Sequence, residues 1–259
     1  MSKDVYIYWT GTEPGLISLL RKIMYHHSDG GKNYNIFYIT DDNVSDFIDI
    51  PDYWDKLCPS HKADLLRVHI LCDRGGVWLD ADTLVMDDLS RLFGFFLEED
   101  GFFVLENNKT LCNGVFGTKA NTPLMREWKY MCDDLLDKYT SGDKVDSWWT
   151  VSRKGRKPKL KTVAMGTAMM SVLRHKKLFK NYNILPGLDT VFPINWRECV
   201  KHFIYKNSSY HEKLKRDFQP VIILVNSVYK KVADKDESEL LEMDNPLGYL
   251  LNQSLQTIY

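Results

Sequence analysis

The stretch GGVWLDADTL, residues 75–84, constrains the chain more than any other. Val77, Trp78 and Leu79 read as a buried strand, yet Asp80 and Asp82 follow in the same run, one residue apart. Successive side chains of a strand point to opposite faces. Val77, Leu79 and Ala81 should therefore face one way, and Trp78, Asp80 and Asp82 the other. The two carboxylates then share one space, roughly 6–7 Å apart at their bases by strand rise. Burying an ionised carboxylate is costly unless something positive meets it. A hard divalent cation would offset both charges, and magnesium or manganese completes its shell with water and substrate phosphates. The pattern thus fits a Mn2+ (or Mg2+) site on Asp80 and Asp82, completed by a diphosphate. The plainer alternative is a solvated strand end, with Asp82 starting the turn toward MDDLSRLF.

What precedes the strand weighs against the plainer reading. PSHKADLLRVHILCDRGG predicts a helix, with Ser60 as N-cap behind Pro59 and Gly75–Gly76 as its stop. Leu65, Leu66, His69 and Cys72 follow the apolar stripe of a packed helix, while Asp64 and Arg67, three apart, share a different face. Such a helix ends beside the ligand end of the strand, where an arginine meets phosphate or sugar oxygens.

The chain opens with a strand (Val5 to Trp9), a helix (LISLLRKIMYHH) and a second strand (NYNIFYITDDN), the beginning of a nucleotide-binding α/β sheet. Ligands of such sheets gather at the carboxyl ends of strands, which is where Trp9 and the Thr40–Asp42 loop fall. Downstream, GFFVLENN and CNGVFGTKA predict strands, TPLMREWKYMCDDLLDKY a helix, and the polar, basic SGDKVDSWWTVSRKGRKPKLK a loop. VAMGTAMMSVLRHKK resumes a helix, YNILPGLDTVFPINW is extended, PVIILVNSVYK is a late strand, and DESELLEMDNPLGYLLNQSLQTIY is helical at its start. With no internal repeat and no linker, one domain over residues 1–259 is expected.

Lys plus Arg number 34 against 35 Asp plus Glu, which gives no broad electrostatic reason to expect nucleic acid or an anionic membrane as a partner. No stretch approaches the about 20 apolar residues of a membrane span. The five scattered cysteines, never spaced as CxxC, predict reduced thiols, no structural zinc and a cytoplasmic location.

ADLLRVHILCDRGGVWLDADT resembles the signature of DXD-motif, nucleotide-sugar glycosyltransferases with the GT-A fold. That group includes capsular polysaccharide transferases, yeast-type mannosyltransferases and the clostridial glucosylating toxins. Ala63, Asp64, Arg67, Gly75, Gly76, Trp78, Asp80 and Asp82 all match the pattern. The resemblance implies a mixed, mainly parallel α/β sheet flanked by helices, and transfer of a sugar from a nucleoside diphosphate sugar to a hydroxyl of a glycan or glycolipid. Uridine diphosphate is favoured, guanosine diphosphate is the alternative, and retention is the usual outcome. It also implies that Asp82 binds the metal directly. Asp80 would contact ribose or donor sugar and reach the metal closely or through water. Asp64 and Arg67 would hold the donor sugar hydroxyls and neutralise developing charge. Trp9 would stack on the base, and Asn113 would line the donor–acceptor cleft. Asn226 or Ser227 would bring a further ligand to the metal. Action would be at the cytosolic side, at the membrane face if the acceptor is lipid-linked.

Each of these residues also has a plainer use. Trp9 suits a core edge, and Asn113 a turn with Gly114. His202 and His211 suit the surface better than a metal, and Trp148 and Trp149 fit either an acceptor sugar or a loop anchor. DADTL also satisfies the D-x-D-x-T pattern of haloacid dehalogenase phosphatases, with Asp80 as nucleophile and Asp82 as acid. A βαβ unit precedes it here, where that nucleophile normally ends the first strand. A non-catalytic module that binds sugar nucleotides is the third alternative.

Overall fold

The computed structural model describes residues 3–28, 34–106, 110–152, 154, 157–187, 203–204, 220–224 and 229–256. Alternation along β1 (Asp4–Tyr8) sends Val5 and Ile7 into one apolar layer and Tyr6 and Tyr8 into another. α1 (Gly15–His26) covers the first layer with Leu16, Leu19, Leu20 and Ile23, and β2 (Asn35–Ile39) pairs with β1 in parallel.

α2 (Pro59–Arg74) starts with Pro59 inside its first turn, so Cys58 rather than Ser60 holds the N-cap position. Proline lacks the N–H that this turn leaves unpaired, which suits it to that place. The helix stops at Gly75, whose φ of +69° lies in the left-handed region. A Cβ there would also come within 2.7 Å of the Ala120 nitrogen. The expected stripe is only part of the buried surface, because the Asp64–Arg67 face is buried too. His69, placed on that stripe, is half-buried and pairs with Asp133 at 2.8 Å.

β3 (Gly76–Leu79) is wholly buried and splits as its alternation requires, with Val77 and Leu79 in the first layer and Trp78 in the second. β4 (Thr83–Val85) and α3 (Ser90–Gly94) follow, then β5 (Gly101–Glu106) and β6 (Thr110–Thr118). α4 (Pro123–Ser141) is capped by Thr122, whose side chain accepts from the Met125 N–H at 3.3 Å. It buries Leu124, Met125, Trp128, Cys132, Leu135 and Leu136 along one face. Each such side chain contributes roughly 1.5–3 kcal/mol on full burial.

The segment expected as a loop contains a short antiparallel pair, β7 (Thr150–Val151) and β8 (Lys159–Leu160). Two residues per strand leave no alternation to detect. Beyond it, the backbone kinks at Gly166 within a wide turn, Ala164–Ala168, before α5 (Met169–His175). β9 (Tyr182–Pro186), β10 (Val221–Ile223), α6 (Glu237–Leu241) and α7 (Pro246–Gln256) complete the described elements. α7 is a second helix in a tail expected to be helical only at its start.

The main sheet has the order β2-β1-β3-β6-β5-β9. β6 runs antiparallel to both neighbours, and the other pairings are parallel. This is the mixed, mainly parallel sheet flanked by helices that the sequence predicts. β4 and β10 form a separate antiparallel pair. Cys58, Cys72, Cys112 and Cys132 are free thiols, as expected, and Cys199 lies outside the described residues.

Candidate active site

The carboxyl ends of β1 and β3 open into a cavity of about 440 Å³. Tyr8, Trp9 and Thr10 supply one wall, and Pro59, Ser60, Ala63 and Arg67 of α2 supply another. β3 ends at Leu79, so Asp80, Ala81 and Asp82, expected to continue the strand, line the cavity from a turn in which the Thr83 N–H donates to the Asp80 carbonyl at 3.0 Å. Trp9 is half-buried, packs on the apolar layer beneath and donates its indole N–H to the Thr12 carbonyl at 3.3 Å. It is both a core edge and a cleft residue.

Arg67 organises the floor. Its side chain is 4% exposed, and its NH2 meets Asp80 Oδ1 at 3.0 Å while its Nε is 3.5 Å from Asp64 Oδ1. It also donates to the carbonyls of Ala63 at 3.2 Å and of Asn113, and lies 5.0 Å above the Trp78 ring centroid. A planar guanidinium can divide itself this way; an ammonium cannot. Trp78 also donates its indole N–H to Asp80 Oδ1 at 2.8 Å. Asp80 is thus met by two donors of its own chain, and a cation is not its sole source of compensation.

Asp64 lies beneath this arrangement rather than on the cavity wall. Asn113 Nδ2 donates to its Oδ1 at 2.9 Å. Burial pushes the Asp64 carboxyl up to about 7; the Asp80 charge adds to this, against the pull of Arg67, Asn113 and the Gly166 N–H. Gly114 and Gly166 make room for these carboxylates. A Cβ on Gly114 would approach Asp80 Oδ2 to 2.7 Å, and one on Gly166 would approach Asp64 Oδ1 to 2.9 Å. The Gly114 carbonyl accepts the Asp80 N–H at 2.7 Å.

Asp82 is half-buried and its carbonyl accepts the Leu224 N–H at 2.8 Å, which ties the end of β10 to the site. Asn226 and Ser227 lie outside the described residues, as do His202 and His211. Among the described residues no group of three or more His, Cys, Asp or Glu could hold a metal ion by itself. The donor set facing the cavity is a pair of carboxylates, which suits a hard cation whose remaining positions go to water and phosphate oxygens.

Asp41, in the loop at the end of β2, forms a second acidic centre. Asp41 accepts from Tyr8 at 2.6 Å, from Thr10, and from Lys62 at 3.2 Å. Burial acts to raise its pKa, but the hydrogen bonds from Thr10, Tyr8 and Lys62 prevail and hold it below the usual carboxylate range. Lys62 also lies 4.8 Å from the Trp54 ring centroid. Nothing in the sequence marks Tyr8, Thr10 or Lys62, although the period-2 patterns of β1 and β3, paired with Tyr6 opposite Trp78, put Tyr8 and Trp78 on one face.

Residues 1–142 match the capsular polysaccharide synthesis protein family, more than half of the 259 residues. The chain belongs to that family. No curated protein matches it in sequence. Among solved structures, the glycosyltransferase involved in glycosylation of the major capsid of PBCV-1 superposes with a TM-score of 0.51 at 12% identity, covering 94% of this chain and 100% of that one. The PaToxG glycosyltransferase has 17% identity and a TM-score of 0.40, over 69% of this chain and 75% of that one. The galactosyltransferase LgtC in complex with donor and acceptor sugar analogs has 10% identity and a TM-score of 0.44, over 99% and 97%. The first of these carries the fold assignment, GT-A as the motif led us to expect. Family and fold together support a glycosyltransferase. Asp80 follows β3, the third strand in chain order, whereas the phosphatase alternative needs its nucleophile at the end of the first.

Proposed function

We propose that this protein transfers a sugar from a nucleoside diphosphate sugar, a uridine diphosphate sugar being favoured, to a hydroxyl of a glycan or glycolipid acceptor, with retention at the anomeric carbon. The observation that carries the reading is the Arg67 guanidinium at the cleft wall, shared between Asp64 and Asp80 and lining the same cavity as Asp82. As the bond from the anomeric carbon to the diphosphate breaks, negative charge grows on the leaving group and the sugar becomes oxocarbenium-like. Arg67 offers a fixed, desolvated positive charge to that event and needs no rearrangement to do so. Asp80, held by Trp78 and Arg67, presents its remaining oxygen to ribose or sugar hydroxyls. Asp64 acts from below by holding Arg67 and Asn113 in place, rather than by touching the sugar. Trp9 offers its ring to the base.

A Mn2+ or Mg2+ ion on Asp82 and Asp80, with Asn226 or Ser227 as a further ligand, would supply Lewis-acid stabilisation of the diphosphate charge. The test is calorimetry with uridine and guanosine diphosphate sugars, with and without manganese. Asp82→Asn should fold normally and lose manganese-dependent donor binding by about a hundredfold or more. Unchanged donor affinity in that variant would remove the metal role, and no sugar-nucleotide binding by the native chain would remove the reading itself.

A further inference from the structure

The nine residues 153–161, RKGRKPKLK, hold six cationic side chains and no acid, in a chain whose net charge is −1. The stretch is a local excess of positive charge, the other 28 of the 34 Lys and Arg being spread over the rest of the chain. Lys154, Lys157 and Lys159 are exposed and form no ion pair among the described residues, and they stand within six residues of one another. The same hairpin exposes large apolar side chains. Trp148 is 57% exposed, Val151 48% and Val163 50%. Lys161 steadies the tryptophan, lying 5.6 Å from its ring centroid and donating to its carbonyl at 2.6 Å. Asp146, the acid closest in sequence, is occupied in accepting the Trp148 N–H at 2.7 Å.

Unpaired lysines beside exposed indole and valine side chains suit one kind of partner. A soluble polyanion would use the charges and leave the apolar groups wet. A bilayer with anionic headgroups uses both, the ammonium groups at the headgroups and the indole at the boundary with the acyl chains. We infer that the β7–β8 hairpin and its flanks form a docking surface for an anionic membrane. The surface is tied to the cleft, because His61 Nε2 meets the Lys161 carbonyl at 2.9 Å while Pro59, Ser60 and Ala63 of the same first turns of α2 line the cavity. Docking would hold the cavity mouth within a turn or two of helix from the headgroups, within reach of an acceptor anchored in lipid. The surface stands on charge and exposure alone and does not depend on the sugar-transfer reading.

The experiment is co-sedimentation of the full chain with vesicles of phosphatidylglycerol or of phosphatidylcholine, at low and high salt. The native chain should sediment with phosphatidylglycerol at low salt and be released at high salt. Lys157→Glu combined with Lys159→Glu should weaken vesicle binding about tenfold or more. Trp148→Ser should weaken it severalfold and leave its salt dependence in place. An unchanged thermal midpoint checks that each variant folds, and the salt response of the native chain tests the charges without any variant. Equal binding to both lipids, no binding to either, unaltered binding by the double variant, or capture of a soluble acidic polysaccharide in place of vesicles would each overturn the assignment.

Discussion

Two aspartates beside the same cleft are shifted in opposite directions. Asp64 is buried under the floor with one guanidinium that it must share with Asp80, and its carboxyl rises to about 7. Asp41 stands at the rim, where hydroxyls of Tyr8 and Thr10 and the ammonium of Lys62 converge on it, and its carboxyl is held low. Residue type decides neither outcome. The balance between lost water and supplied donors does. Asp41 is a settled anion that braces the ends of β1 and β2, whereas Asp64 is an anion only as far as Arg67 allows.

The sharpest way to break the contrast is to remove that guanidinium. Arg67→Met should leave two carboxylates without their buried cation and destabilise the fold by on the order of 3–5 kcal/mol at neutral pH, read by urea unfolding. Arg67→Lys should recover part of that stability and little of the turnover, since a point charge cannot serve Asp64, Asp80 and two carbonyls together. Native-like turnover in Arg67→Lys would show that the planar fork is not needed.

The next effect concerns pH. With a folded value near 7 against an ordinary value of about 3.9, the folded chain keeps a proton on Asp64 that the unfolded chain has already lost. This contribution to stability is therefore full below about pH 4 and declines as pH rises to 7, by a few kcal/mol. Asp64→Asn, which cannot ionise, should flatten that slope in chemical unfolding measured from pH 4 to 8. A slope that survives the substitution assigns it to another group. The smallest effect has the opposite sign. Asp41 is held low, so its contribution is present above its ordinary range and is lost as acid protonates the folded form. Asp41→Asn should lessen the fall in thermal midpoint below about pH 4, modestly because its side chain is 39% exposed.

Much of this site could be read from the chain. Gly75 must adopt a positive φ to turn α2 into β3, and alternation through Val77, Trp78 and Leu79 correctly points Asp80 toward the Trp78 side. The depth of Asp64 could not be read, because it depends on α4 and on the kinked turn at Gly166 closing over α2 from far along the chain. The role of Trp78 was hidden by its ordinariness as a core aromatic. The direction of β6 was also illegible: only its register, Gly76 opposite Thr118 and Leu79 opposite Val115, reverses it.

That reversal has a consequence of its own. Because β6 runs against β3, residues 110–114 extend past the end of β3 and reach the site as strand rather than loop. Main-chain carbonyls of Asn113 and Gly114 there receive Arg67 and the Asp80 N–H. Part of the scaffolding around these charges is therefore peptide backbone, which point mutation leaves in place. That tolerance stops at Asn113 and Gly114 themselves, because the Asn113 amide holds Asp64 and a Cβ on Gly114 would meet Asp80 Oδ2.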